Sequence, residues 1–352
     1  MRGAVFECAV RTTCSLTTDE VGRVTSSAPL SVSSVDRLQM ARDAFHVPVL
    51  ESEVLSYFVT VGDGVVVDAT LGGGGHAEAL LRAIPGVRLL GIDRDPEARE
   101  ASRRRLEPYG SRVRVIDATF ADLRDVRERE ADFIGAAPVR GILMDLGVSS
   151  HQLDDGRRGF SLRVDAPLDM RMDPSTGIDA ASVIAQIDEE SLRALLARHG
   201  EGRFARAIAA SIVTRRPRTT FELIDAVERV VPPAHRRRGH VATRTFQALR
   251  VLVNDEEFQL REGLAAALDV LDLDGVLVVI AYHSGEDRVV KDVLAEAASG
   301  GCRCPVELGC VCGAVHRVSV VKASAMMASP DEVARNPRSR SARLRVARKI
   351  VP

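Results

Sequence analysis

The 352-residue chain has no tryptophan and only six cysteines. Thiols that sparse in a chain this long exclude a secreted disulfide scaffold, so a reducing, cytoplasmic setting is expected. Long apolar runs are also missing. The longest, Val276-Leu-Val-Val-Ile-Ala281, is the size of a strand and far short of the roughly 20 residues of a membrane helix; no membrane partner is expected. Net charge is nearly absent, with 48 Lys and Arg against 49 Asp and Glu. Any contact with nucleic acid must therefore come from local basic patches rather than a global field. Residues 1–44 are rich in Ser and Thr and poor in acids. No apolar segment follows their charges, so the stretch reads as a disordered extension rather than a secretory signal. The remainder is the ordinary composition of a globular protein, long enough for one large domain with an insertion or for two domains.

What is present is organised around Val65-Val-Val-Asp-Ala-Thr-Leu-Gly-Gly-Gly-Gly-His76. A β-branched run ending in an acid, four glycines and then Ala77-Glu-Ala-Leu-Leu-Arg82 reads as a buried strand, a tight turn and a helix start. Backbone without Cβ lets a ligand approach the main chain, which marks a nucleotide-cofactor loop. Gly72-x-Gly74-x-x-Ala77 satisfies the dinucleotide pattern, and Asp93 closes a second strand about twenty residues on. NAD and S-adenosylmethionine therefore compete. Asp68 would repel a pyrophosphate but suits a sulfonium cation, which favours S-adenosylmethionine.

Further along, Val87–Asp93, Val113–Asp117 and Gly141–Asp145 read as strands, and Glu51–Val59 has helical spacing. Asp95, immediately before Pro96, suits a helix N-cap, which leaves Asp93 for the hydroxyls of a ribose. Phe120 follows the third strand and offers either a face for an adenine or plain core. From about 154 to 241 the pattern is helical, ending in a basic connection at Arg236, Arg237 and Arg238. A helix over Arg244–Leu271, a strand over Gly275–Tyr282, a helix over Glu286–Ala298, and strands near Val315–Val321 and Ala342–Ala347 complete the pattern. The expected fold is α/β, a Rossmann-like, doubly wound parallel sheet formed by 45–153 and 242–352. Residues 154–241 are its helical insertion.

Eight separated blocks carry a family resemblance: His46-Val-Pro-Val-Leu50, Asp68-Ala-Thr-Leu-Gly-Gly-Gly-Gly-His76, Asp145-Leu-Gly-Val-Ser-Ser-His-Gln-Leu-Asp-Asp155, Arg158-Gly-Phe-Ser161, Pro167-Leu-Asp-Met-Arg-Met-Asp173, Ala242-Thr-Arg-Thr-Phe-Gln-Ala248, His283-Ser-Gly-Glu-Asp-Arg288 and Asn336-Pro-Arg-Ser-Arg340. In number and order they resemble the RsmH (MraW) family, which methylates N4 of a cytidine in the decoding region of bacterial 16S rRNA. The resemblance covers most of 46–349. It implies a Rossmann-like class I S-adenosylmethionine methyltransferase sheet with an inserted helical domain, cofactor contacts at Gly74, Gly75, His76, Asp93, Phe120, Asp145 and Gln152, and 16S rRNA or the small ribosomal subunit as partner. Gly285 stands where the family often has Leu, and residues 1–44 lie outside the pattern.

The residues restrict the chemistry. Methylating C5 of a pyrimidine needs a Cys nucleophile, and none lies in or beside the Asp145–Ser150 loop, whereas an exocyclic amine attacks a sulfonium methyl directly. Asp145 is the carboxylate expected nearest the methyl, and His283, at the next strand end, is a second candidate contact for the base. Arg338 and Arg340, with Arg236–Arg238, are expected to meet RNA phosphates. Cys302, Cys304, Cys310 and Cys312 could bind zinc, although C-x-C pairs are tighter than the usual knuckle; surface thiols or an adventitious disulfide are the alternatives. A non-catalytic RNA-binding module and an NAD-dependent dehydrogenase are the rival functions. The intact glycine loop and strand-tip acids argue against the first, and the position of Asp68 argues against the second.

Overall fold

A computed structural model describes residues 48–60, 62–149, 152, 155–235, 240–302, 304–305 and 311–351. Residues 1–44, His46, Val47, Ser150, His151, Leu153, Asp154, Arg236, Arg237, Arg238 and Cys310 lie outside the described residues.

Eight strands form one sheet: β1 Gly64–Asp68, β2 Val87–Asp93, β3 Val113–Asp117, β4 Val139–Asp145, β5 Val276–Ala281, β6 Val318–Val320, β7 Met326–Met327 and β8 Arg343–Lys349. Their order is 3-2-1-4-5-8-6, with β7 paired to β8 off this path. Strands β3, β2, β1, β4 and β5 run parallel. Strand β8 pairs antiparallel with β5, and β6 and β7 pair antiparallel with β8. The fold is thus a Rossmann-like α/β sheet.

Helices cover both faces, which is why the central strands read as unbroken apolar runs instead of alternating. Val65, Val67, Ile142, Met144, Leu277 and Val279 pack on one side, under the Leu123–Arg129 and Glu256–Val270 helices. Val66, Leu143, Val278 and Ile280 pack on the other, against Phe58, Leu80 and Leu106 of the Glu51–Phe58, Gly75–Ala83 and Pro96–Leu106 helices. The last of these starts as its sequence dictates: the Asp95 side chain accepts from the Glu97 N–H at 3.0 Å, and Pro96 occupies the first turn.

Between β4 and β5 lie helices Ala180–Gln186, Glu189–Arg198, Ala205–Arg215 and Thr220–Glu228. Leu192, Leu196, Ile208, Ile212 and Leu223 form their apolar core, which also takes in Ala242, Phe246 and Leu249. Helical packing therefore runs past residue 241 into the Thr243–Val253 helix.

The single helix expected over Arg244–Leu271 is two. Thr243–Val253 and Glu256–Val270 meet at Asn254 and Asp255, where Asp255 has φ +50°. The buried Asn254 side chain leaves helical geometry to accept from Met172 N–H at 2.7 Å and to donate to the Met170 carbonyl at 2.8 Å. Its own hydrogen bonds to a distant loop supply the reason for the break.

Gly141, in the middle of β4, allows Phe58 to lie on the sheet. A Cβ there would sit 2.2 Å from Phe58 Cε1, and Phe58 is fully buried. Gly141→Ala is expected to lower unfolding free energy by about 1–3 kcal/mol through overpacking, seen as a lower denaturant midpoint at unchanged slope. An unaltered midpoint would mean that Phe58 has room to move.

Candidate active site

In an open parallel sheet, ligands settle beyond the carboxyl ends of the strands where the strand order reverses. Here that place lies between β1 and β4. A cleft of about 520 Å³ opens there, lined by residues following β1, β2, β3, β4 and β5.

The glycine loop forms its floor. Gly72 has φ +50°, and a Cβ placed on it would meet nothing closer than 3.9 Å, so the loop exposes bare backbone to the cleft. Gly72, Gly73 and Gly75 line it. Gly74 is not among the lining residues. With φ +77° it caps the next helix, and a Cβ there would press on Ser102 and Leu106 at 3.3–3.4 Å. Gly74 thus serves the turn and the packing behind it, between Gly73 and Gly75, which do line the cleft.

Asp93, at the tip of β2, accepts from the Gly72 N–H through Oδ2 and from the Asp95 N–H through Oδ1, both at 2.8 Å. It lines the cleft, as do Phe120, His76, Asp145 and Gln152. Phe120 also packs against the sheet core and Gly263, so face and core coexist in one residue. Gln152 is buried with its amide fully engaged. Oε1 accepts from Ser149 N–H at 2.9 Å, and Nε2 donates to Asp95 Oδ2 at 2.7 Å. Arg158 Nη1 lies 3.1 Å from the same Asp95 oxygen. This buried network ties the chain after β4 to the start of the Pro96–Leu106 helix.

Asp145 ends β4 and keeps about a quarter of its side-chain surface exposed, with Oδ2 3.7 Å from His76 Nδ1. The Tyr282 hydroxyl donates to its Oδ1 at 2.7 Å. His76 Nε2 lies 2.9 Å from the Val49 carbonyl and must be its donor, so in the neutral ring Nδ1 presents a lone pair toward Asp145. At 3.7 Å the two are in electrostatic contact but too far apart for a hydrogen bond. Burial raises the pKa of Asp145, and the neighbouring His76 and the Tyr282 hydrogen bond oppose it.

Asp68 corrects the charge argument drawn from the sequence. It is 2% exposed and does not line the cleft. Burial pushes its carboxyl from the ordinary 3.8 up to about 7, against the pull of His76 and the Thr70 N–H. At neutral pH it is therefore only partly ionised beneath the loop, and the acids that face a ligand are Asp93 and Asp145.

His283 is likewise not among the lining residues. Its Nδ1 accepts from the Gly285 and Glu286 N–H groups at 3.1 and 3.2 Å, and Nε2 lies 2.9 Å from Glu286 Oε1. It caps the Ser284–Ser299 helix. The cap engages both ring nitrogens, since a strand-end position specifies where a residue sits and not where its ring turns. Its chain neighbour Tyr282, which the strand-tip rule also marks, reaches the cleft instead.

Arg250, not singled out from the sequence, lines the cleft too and is held by Glu256 at 2.7 Å and Glu286 at 3.5 Å. Glu256 lies 6 residues on and Glu286 36, and neither spacing tells that the guanidinium borders the cleft. Arg338 and Arg340 stand at the cleft on the turn Pro337–Ser341, both exposed. Cys302, Cys304 and Cys312 are not among the lining residues. No helix among the described residues is long and apolar enough to cross a membrane.

The buried acid gives a pH signature. An unfolded Asp68 releases its proton near 3.8 and the folded one near 7, so between those values the folded state holds more protons. Its favourable contribution is complete below about pH 4 and lost as pH rises through 7. Asp68→Asn should therefore gain stability relative to the parent across pH 4–7, by at most about 1.4 kcal/mol per pH unit, and level off above. Denaturant melts at several pH values check this; a pH-independent difference would contradict the raised value.

Residues 43–350 match the MraW methylase family. The ribosomal RNA small subunit methyltransferase H of Geotalea uraniireducens (strain Rf4) is 46% identical over 315 residues, covering 88% of this chain and 99% of that protein. The protein of the same name from Heliobacterium mobile is 44% identical over 312 residues, covering 87% and 99%. That of Mycobacterium tuberculosis (strain ATCC 25177 / H37Ra) is 45% identical over 320 residues, covering 87% and 80%. With a match across nearly the whole described chain and relatives this similar along almost their full length, the chain belongs to the MraW methylase family.

Proposed function

We propose that the protein transfers a methyl group from S-adenosylmethionine to the N4 amine of a cytidine in the decoding region of small-subunit (16S) rRNA. One observation carries the reading. The cleft joins a ribose-competent acid, Asp93, to a second acid, Asp145, whose Oδ2 no described side chain saturates, and no thiol lines it among the described residues. The names of the 44–46% identical relatives support rRNA of the small subunit as the substrate.

The cleft residues fit S-adenosylmethionine. A carboxylate has about four lone-pair sites, and Asp93 spends only two on backbone N–H groups. The others are available to vicinal ribose hydroxyls. The uncovered Gly72–Gly73 backbone admits the ligand chain, and Phe120 offers a face to the adenine. The acids Asp93 and Asp145 favour a cation, and nothing in the loop requires a phosphate. When bound, S-adenosylmethionine supplies an electrophilic methyl group on a sulfonium.

The chain's own residues do the rest. Tyr282 fixes Asp145 by donating to Oδ1, leaving Oδ2 to accept an amine hydrogen and turn the nitrogen lone pair out of conjugation. The raised pKa of Asp145 suits it to take the proton that a methylated amine sheds. His76 Nδ1 stands 3.7 Å behind as a further acceptor. The helical segment from about 154 to 241, with Met172 reaching the cleft, serves as the wall against which a flipped-out cytidine rests. Arg338 and Arg340 hold phosphate, with Arg236, Arg237 and Arg238 as further candidates.

Nucleoside mass spectrometry of small-subunit rRNA incubated with the protein and S-adenosylmethionine tests the reaction. N4-methylcytidine is expected, no covalent complex should form with 5-fluorocytidine RNA, and Asp145→Ala should cut turnover by on the order of 100-fold or more while RNA binding persists. Formation of 5-methylcytidine or a trapped adduct would refute the amine mechanism. The basic turn makes a separate prediction. Replacing Arg338 and Arg340 by Gln should flatten the salt dependence of RNA affinity by about 0.7 in log–log slope per lost contact, with S-adenosylmethionine affinity kept. An unchanged slope would assign both to plain surface.

A further inference from the structure

Among the described residues of the loop joining the Ser284–Ser299 helix to β6, Val311 and Val315 are 89% and 60% exposed, so these two side chains give it no apolar anchor. At its helix end Cys302 N–H donates to Ser299 O at 3.1 Å, and at its strand end Arg317 N–H donates to Ala297 O at 2.9 Å. Between those ends three thiols converge from opposite sides of the loop. The Sγ atoms of Cys302, Cys304 and Cys312 all lie within 4.8 Å of one another, and all three cysteines are free of disulfides.

Three thiols are one too many for a disulfide, but they are the beginning of a tetrahedron. A Zn–S bond of about 2.3 Å places ligand sulfurs about 3.8 Å apart, so the three sulfurs need draw together by no more than about 1 Å. The Cys304 N–H already points at Cys302 Sγ at 3.4 Å. Backbone N–H groups aimed at sulfur stabilise a metal-bound thiolate and fix its orientation. Soft thiolates in a closed, non-catalytic setting select zinc over hard cations, which take oxygen ligands.

We propose that Cys302, Cys304 and Cys312 hold a structural zinc ion that staples this loop, with the fourth position taken by a further ligand. Each thiol gives its proton to solvent as the metal binds, and the oxidation state of sulfur and metal is unchanged. The ion anchors the segment leading from the helix that starts beside the cleft to the edge strand β6. It takes no part in methyl transfer, because none of the three residues lines the cleft.

The full chain, purified under reducing conditions without added metal or chelator, is assayed for zinc by elemental mass spectrometry. Zinc equimolar with protein is expected, and replacement by Co²⁺ should give the thiolate-to-cobalt charge-transfer bands of a tetrahedral site. In a zinc titration of the stripped chain against a chromogenic chelator, the variant with Cys302→Ser and Cys304→Ser should bind at least about tenfold more weakly. If that variant does not fold, Cys312→Ser and the cobalt spectrum of the parent chain decide. Substoichiometric zinc would overturn the proposal. So would an intact mass lowered by the two hydrogens of a disulfide, or equimolar zinc retained by the cysteine variants.

Discussion

The Asp93 carboxylate is the bond on which the site depends. Its two oxygens take the N–H groups of Gly72 and Asp95, joining the glycine loop, the tip of β2 and the approach to the next helix through one side chain. Asp95, so placed, caps that helix and receives Gln152 and Arg158. Two strand ends and the start of the helical segment are thus fixed relative to one another by a handful of charge-assisted hydrogen bonds. Burial makes ionisation of Asp93 harder, raising its carboxyl from 3.8 to about 6, while those backbone N–H groups resist the shift. Near neutral pH the group therefore remains charged for the most part, and the loop keeps its anchor.

The same economy of placement runs along the rest of the sheet edge. Burial on both faces leaves β1 and β5 apolar along their middles, so the chemistry of the cleft collects where the strands end. Asp68, Asp93 and Asp145 occupy three such ends and have different fates. The first sits under the loop, the second holds it, and the third faces the cleft with one oxygen restrained by Tyr282. Identical side chains acquire distinct roles from depth and donors alone.

That distinction is where sequence reading reaches its limit. The glycine loop, Asp93, Asp95 and Phe120 are legible because each is defined by neighbours in the chain: a strand before it, a helix after it, a proline beside it. Asp68 was misread because its distance from the glycines in sequence says nothing of its depth. For His283 a strand end fixes position but not rotamer, and the cap it forms depends on Glu286 three residues on. Tyr282 and Asn254 escaped because their partners lie 137 and 82 residues away, and Arg250 because its pairing with Glu256, 6 residues on, says nothing of the cleft it borders. The helical pattern over Arg244–Leu271 was real on both sides of residue 254. What broke it was a long-range hydrogen bond that no local propensity encodes.

The break at Asn254 has a mechanical meaning. Arg250 lies one turn before it and Gln259 just after it, and both border the cleft, while the amide between them grips Met170 and Met172. Met172 borders the cleft as well. The articulation therefore yokes cleft-wall groups from two helices and a remote loop into one rigid bracket. The loop cannot slide along the helices without surrendering both grips on the Asn254 amide and the bond that Arg158 donates to the Met172 carbonyl at 2.8 Å, so the width of that side of the cleft is gauged by the reach of two side chains that hold the loop from opposite ends of the chain segment.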